Sequence, residues 1–366
     1  MTRILTTHAG SLPRPDGEAA EAVRAVVRQQ VECGVDSIND GEVGKPNFVQ
    51  YVGSRIEGLE ERELRAGEEH PTWSVVRREE QQVGDYFRAR GGVFLRSGAP
   101  VTRVVACSGP LKYAGGAAIQ QEIARFNEAL QGQTYAEAFL PAPSPGIVAH
   151  TTVNEYYRSD EAYITALAEA LSEEYRAIVD AGFVLQIDSP NTADDWQRHA
   201  EMTAPEFRAY TERNIQVLNH ALRGISPERV RFHMCWASWH GPHVTDIPLE
   251  EIVDAILQVQ ADTISLEAAN PRHEHDWRVW QDVKLPEGKR LVPGAVGHTS
   301  DVVEHPRLIA DRLVRYAELV GRENVMAGTD CGLVRVSQPI VAWLKLKAMA
   351  EGAAIASAEL FGYEPT

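Results

Sequence analysis

Eight short apolar runs, spaced by stretches of helical periodicity, restrict this chain to one class of fold. The runs lie at residues 3–7, 37–40, 102–107, 183–188, 229–234, 263–266, 290–295 and 325–329. Helical patterns fit 17–32, 159–180, 204–223, 248–259, 303–320 and 339–359. In the second of these, Ala162-Tyr163, Ala166-Leu167, Ala170-Leu171, Tyr175 and Ile178-Val179 follow the helical repeat. Strands that alternate with helices pair in parallel, because a helix returns the chain to the end where it started. Eight such units predict an α/β fold, a (β/α)8 barrel, which takes about 250 residues. The chain has 366 residues. The surplus is assigned to insertions after strands 2 and 3, excursions at about 55–100 and 108–154, within a single barrel domain spanning 1–366. The second excursion contains the turn-rich Pro141-Ala142-Pro143-Ser144-Pro145-Gly146.

Charge and composition exclude several classes of partner. A net charge of −16 opposes nucleic acid, whose phosphates need Lys and Arg to neutralise them, and equally an acidic membrane surface. No stretch approaches the roughly 20 apolar residues of a membrane span. Met1-Thr2-Arg3-Ile4-Leu5-Thr6 lacks the apolar core of a signal peptide and runs into the first strand. Four cysteines in a chain of this length do not make a disulfide framework, so a cytoplasmic location with reduced thiols is expected.

Barrel enzymes carry their chemistry at the C-terminal ends of the strands. Polar residues recur there: His8, Gly10 and Ser11, then Asp40 and Glu42, Asp188, His233 and Cys235, Glu267, His298, Asp330 and Cys331. In His233-Met234-Cys235 the two potential ligands stand at i and i+2 of an extended run, hence on one side. With Glu267 and Cys331 they compose a tetrahedral zinc set containing two thiolates. Cys33 and Cys107 read as small buried residues. The clusters His240-Gly241-Pro242-His243 and His273-Glu274-His275 lie in polar loops and read as residues of the mouth or partners of backbone carbonyls. Asp188 and Glu42 are expected to contact substrate. His298 is a candidate general acid, the alternative being a histidine that supports the site or caps a loop.

These residues together resemble the C-terminal catalytic domain of cobalamin-independent methionine synthases, over most of the chain and in the same order. Thr6-Thr7-His8-Ala9-Gly10-Ser11-Leu12-Pro13 is similar to the family's opening segment, Asp40-Gly41-Glu42 to its gly-glu element, and Gln186-Ile187-Asp188-Ser189-Pro190 to its ile-asp-glu-pro element. His233, Cys235, Glu267 and Cys331 match the four zinc ligands position by position. The resemblance implies a Zn2+-dependent transfer of methyl to homocysteine, with Glu42 and Asp188 on the ammonium and Gly10-Ser11 on the carboxylate. The chain also departs from the family. The large N-terminal half is missing, Ser189 stands for a glutamate, and Gly294-Ala295-Val296-Gly297-His298 lacks the usual aspartate. No folate-stacking tryptophan appears near Ser108-Gly109-Pro110-Leu111-Lys112-Tyr113. The alkyl donor is therefore open between methyl-folate, a corrinoid protein and an epoxide, the last because epoxyalkane:coenzyme M transferases share the superfamily. A barrel enzyme or binding protein without metal is the remaining alternative.

Overall fold

The structure is a computed structural model that describes residues 2–45, 48–71, 76–90, 102–237, 239 and 241–362. Its strands, in chain order, are β1 (Ser37–Ile38), β2 (Ile56–Glu63), β3 (Arg103–Tyr113), β4 (Glu137–Pro143), β5 (Val153–Asn154), β6 (Val184–Asp188), β7 (Val230–His233), β8 (Thr263–Leu266), β9 (Arg290–Val296) and β10 (Gly328–Thr329). Seven of them form one parallel sheet in the order β1-β4-β6-β7-β8-β9-β10. Residues 3–7 close it. Thr6 bridges Ala327 in parallel. Thr7 N–H donates to Ala327 C=O and Ala327 N–H to Leu5 C=O, both at 2.8 Å, while Thr6 C=O accepts from Ser37 N–H at 2.9 Å. The eighth stave therefore lies between β10 and β1, and the fold is the expected (β/α)8 barrel.

The expected third stave is displaced. Residues 102–107 belong to β3, which pairs antiparallel with β2 (Glu61 opposite Val105) in an outer sheet of order β2-β3-β5. The true third stave is β4, inside the segment read as turn-rich. Its prolines are tolerated for a geometric reason. Ser144 N–H donates to Asp188 C=O of β6 at 3.0 Å, so positions 141 and 143 face the opposite edge. There the pairing with β1 ends at Ile38–Ala138, and no ladder bond is lost. The long insertion thus follows stave 2 and holds helices Phe48–Gly53 and Arg77–Arg90 with β2 and β3. A short one follows stave 3, as helix Pro145–Thr151 and β5. The 108–154 excursion contains barrel structure rather than lying outside it.

The expected helices appear, as Ala19–Glu32, Asp160–Asp180, Ala204–Ala221, Leu249–Ile256, Pro306–Val320 and Pro339–Phe361. Their starts follow capping chemistry. The Ser159 side chain accepts from Ala162 N–H, and Thr203 with Glu206 makes a capping box.

Beneath the rim the barrel interior is polar at one point. Arg231, 1% exposed, donates to Thr7 Oγ1 (2.8 Å), Ser37 Oγ (2.9 Å) and Glu137 Oε1 (3.0 Å), and its guanidinium lies over the Phe139 ring. One residue thereby ties staves 1, 2, 3 and 5. The insertion is joined to the barrel helices by a second buried network. Glu174 accepts from Arg55 at 2.9 Å, from Tyr113 OH at 2.6 Å and from Tyr51 OH. Arg55 also donates to Glu122 at 2.6 Å.

Two outcomes follow. Replacing Arg55 with Met strips Glu174 of its paired cation and leaves Glu122 to Lys45 alone, and should cost about 3–5 kcal/mol, read as a shifted urea midpoint. His8 is buried; its Nδ1 accepts from Gly10 N–H at 3.1 Å and its Nε2 bonds Gln30 Oε1 at 2.7 Å. Burial outweighs the Gln30 bond and holds its pKa at about 4. The unfolded chain takes up this proton near pH 6.5, so stability falls as pH drops from 6.5 towards 4, by roughly 3 kcal/mol at completion. His8→Gln should flatten that slope in urea titrations across the window.

Candidate metal and substrate site

His233 is the last residue of β7, and Ser265 Oγ of β8 meets its Nδ1 at 3.1 Å. Met234 turns into the core, fully buried, and its N–H donates to Ser265 C=O at 3.0 Å. Cys235 returns to the side of His233, as strand alternation demands. Across the barrel, Cys331 follows β10 by two residues. One ligand atom each of His233, Cys235 and Cys331 lies within 4.8 Å of the others, and the two sulfurs are 3.8 Å apart. His233 Nε2 is buried without a hydrogen-bond partner, and the nearby Cys331 and carboxylates raise the pKa of the imidazole against the effect of burial. The contact with Cys235, reinforced by His233, pulls the Cys331 thiol well below its ordinary range. The same contact and burial push Cys235 well up. A buried imidazole nitrogen aimed at two sulfurs suits a borderline-soft cation such as Zn2+.

Glu267, directly after β8, belongs to a neighbouring group. Its carboxylate accepts from Trp236 N–H (2.9 Å) and Asn270 Nδ2 (3.0 Å). One ligand atom of each of Glu267, His298 and Asp330 lies within 4.8 Å of the others, all three buried. Asp330 Oδ1 accepts from Ala268 and Ala269 N–H at 2.8 Å each. Burial, then the Glu267 charge, pushes its pKa up to about 7. Both ring nitrogens of His298 are buried without a hydrogen-bond partner. The structure thus joins three of the four expected ligands directly and puts the fourth beside the candidate acid.

A cavity of about 550 Å³ opens onto the three ligands and is lined also by Ser11, Glu42, Lys45 and Asp188, with Arg14 and Arg335 among its walls. Asp188 accepts from Gln186 Nε2 at 2.8 Å, and burial raises its pKa to about 6. Burial also raises Glu42, against the pull of Lys45. Two glycines are required by contact. A Cβ on Gly10 (φ +125°) would come 2.5 Å from Glu42 Oε1, and one on Gly332 1.9 Å from Ser11 Oγ. Gly10 therefore makes room for the Glu42 carboxylate, while its N–H is committed to His8. Sequence reasoning missed Lys45, whose ammonium stands 3.2 Å from Glu122 and donates to Pro141 C=O at 2.5 Å. Its partners come from a helix and a strand far along the chain, and no local motif marks it. Arg14 and Arg335 were missed for the same reason.

Of the loop histidines, His240 lies outside the described residues, His275 is exposed, and His243 and His273 are bridged by Asp246 rather than joined to the ligand group. Among the described residues no helix is long and apolar enough to cross a membrane.

A 2-hydroxypropyl-CoM lyase of Xanthobacter autotrophicus is 24% identical over 93% of this chain and 85% of its own length. A methionine synthase of Thermococcus kodakarensis is 23% identical over 94% of this chain and 86% of its own. A B12-independent methionine synthase from a Shewanella species, solved with selenomethionine, superposes with a TM-score of 0.73 at 21% identity, covering 99% of this chain and all of that one; it bears on the fold. The family model described as cobalamin-independent synthase, catalytic domain, matches residues 121–355, and this chain belongs to that family.

Proposed function

We propose that this protein is a zinc-dependent S-alkyltransferase that activates a small thiol, and that the thiol is homocysteine, converted to methionine. One observation carries the reading. The ligand atoms of His233, Cys235 and Cys331 converge on a cavity whose walls also hold the carboxylates of Glu42 and Asp188. His233, Cys235 and Cys331, with Glu267 as the fourth, would hold Zn2+, which when bound would supply the acidity that deprotonates a thiol at neutral pH. Two thiolates and a carboxylate would exceed the charge of a divalent ion, which would leave a substrate sulfur electron-rich and nucleophilic. Glu42 and Asp188 take the amino-acid ammonium, and Ser11 with the mouth arginines takes the carboxylate. His298, beside Glu267 and Asp330, holds the proton that the departing group requires. The methyl donor is a methyl-folate or a corrinoid protein. The reaction belongs in the cytoplasm, where the thiols stay reduced.

A second reading has its own observation. Arg14 and Arg335 line the cavity and would suit the sulfonate of coenzyme M, with an epoxide as the alkyl donor. The two thiols separate these readings, because carboxylates attract an ammonium and repel a sulfonate.

Zinc K-edge absorption on the purified protein should show one zinc with two sulfur neighbours and a third on adding homocysteine. A shell unchanged by either thiol, or no zinc at all, would refute thiol activation. A third sulfur with coenzyme M alone would select the epoxide reading. Glu42→Gln and Asp188→Asn should each raise KM for homocysteine about 10- to 100-fold, the worth of one charged hydrogen bond, with the zinc content intact. An unaltered KM would remove these carboxylates from substrate recognition.

A further inference from the structure

The loop that carries Cys235 is held by a buried chain of groups that the proposed chemistry does not use. Asp246 Oδ2 meets His243 Nδ1 at 2.8 Å and His273 Nε2 at 3.0 Å, and the Nδ1 of His273 meets Asp276 at 3.1 Å. The other oxygen of Asp246 accepts from Gln197 Nε2 at 3.0 Å. Each histidine is stacked on a tryptophan of the Cys235 loop. His273 lies against Trp236 with ring centroids 3.7 Å apart, and His243 against Trp239 at 3.9 Å. The insertion grips the same segment. Glu79, fully buried on helix Arg77–Arg90, accepts from the N–H groups of Val244 and Thr245, both at 2.9 Å, and from Thr245 Oγ1.

This chain ends on the metal-side carboxylate. Trp236, whose ring stacks on His273, donates its backbone N–H to Glu267 Oε1 at 2.9 Å. Asn270, which donates to Glu267 Oε2 at 3.0 Å, is bonded through its C=O to the N–H of His273 at 2.8 Å. Both oxygens of Glu267 are thus aimed by groups that rest on His273, and His273 rests on Asp246. Resting on the zinc reading above, we propose that Asp246 is a positioning residue of the metal centre. It clamps the Cys235 loop to the Glu267 loop, and the insertion, through Glu79, holds the clamp in place.

The alternative is a role in stability alone. Both histidines bond one oxygen of Asp246, a role that an amide oxygen would still fill, so Asp246→Leu, which has no acceptor, breaks the bridge at similar volume. His273→Phe keeps the stack on Trp236 and removes both hydrogen bonds of the ring. Groups that orient ligands are worth about 10- to 100-fold in metal affinity. Both variants of the full chain, loaded with zinc, should transfer it to an excess of chromophoric chelator at least tenfold faster than the wild type. Thr203→Ala, which removes a helix cap away from the site, serves as the stability control. It should lower the melting temperature while leaving zinc release within twofold. The proposal falls if Asp246→Leu releases zinc at the wild-type rate, or if Thr203→Ala accelerates release equally. A wild type that takes up no zinc overturns the clamp and the proposed function together. A wild type that binds zinc, with release unchanged in the variants, overturns the clamp alone.

Discussion

The site depends on closure of the barrel by residues 3–7. The backbone bonds from Thr6 and Thr7 to Ser37 and Ala327 close a sheet that would otherwise end in two open edges. Closure also brings the first and last loops together. Leu333 N–H donates to Ser11 C=O at 2.8 Å, and Leu12 N–H to Gly41 C=O at 3.1 Å. These contacts bring Ser11, Glu42 and Cys331 to one cavity, although they come from opposite ends of the chain. Arg231 supports the closure from within, tying its own stave to three others.

Two kinds of buried polar structure serve different ends. The Arg231 network satisfies the charges it encloses, and in the Arg55 network the second oxygen of Glu122 faces the Lys45 ammonium at 3.2 Å. Around the metal candidates the partners are incomplete. His233 Nε2, both nitrogens of His298 and Asp330 Oδ2 lack hydrogen bonds. Buried polar atoms without partners are costly, so their concentration at one rim marks the place where the protein meets something it must bind. In the adjoining array both oxygens of Asp246 and all four ring nitrogens of His243 and His273 are bonded, as suits a frame rather than a ligand set.

Much of the fold was legible because hydrophobic periodicity is local. The expected runs at 183–188, 229–234, 263–266 and 290–295 coincide with β6 to β9 within a residue at either end. The third stave was hidden because Pro141 and Pro143 signal a turn. Only the premature end of β1 makes an edge where their missing N–H groups cost nothing. Conversely, 102–107 is a true strand, and nothing within it says which sheet it joins. Among the ligands, His233 and Cys235 are tied by the two-residue repeat of a strand, whereas the approach of Cys331 depends on closure. Glu267 was read as one more ligand. Its bonds to Trp236 and Asn270 and its proximity to His298 and Asp330 emerge only when three loops pack.

The sequence by itself determined the alternation of strands and helices, the handful of polar residues at strand ends, and the chemical softness of the donors, because each depends on neighbours a few residues away. Tertiary structure decided which staves lie side by side, which ligands stand within reach of one another, and which cations line the cavity. It also decided that Asp246 bridges two histidines from different loops. These are contacts between residues far apart in the chain, and only the closed barrel brings them within hydrogen-bonding distance.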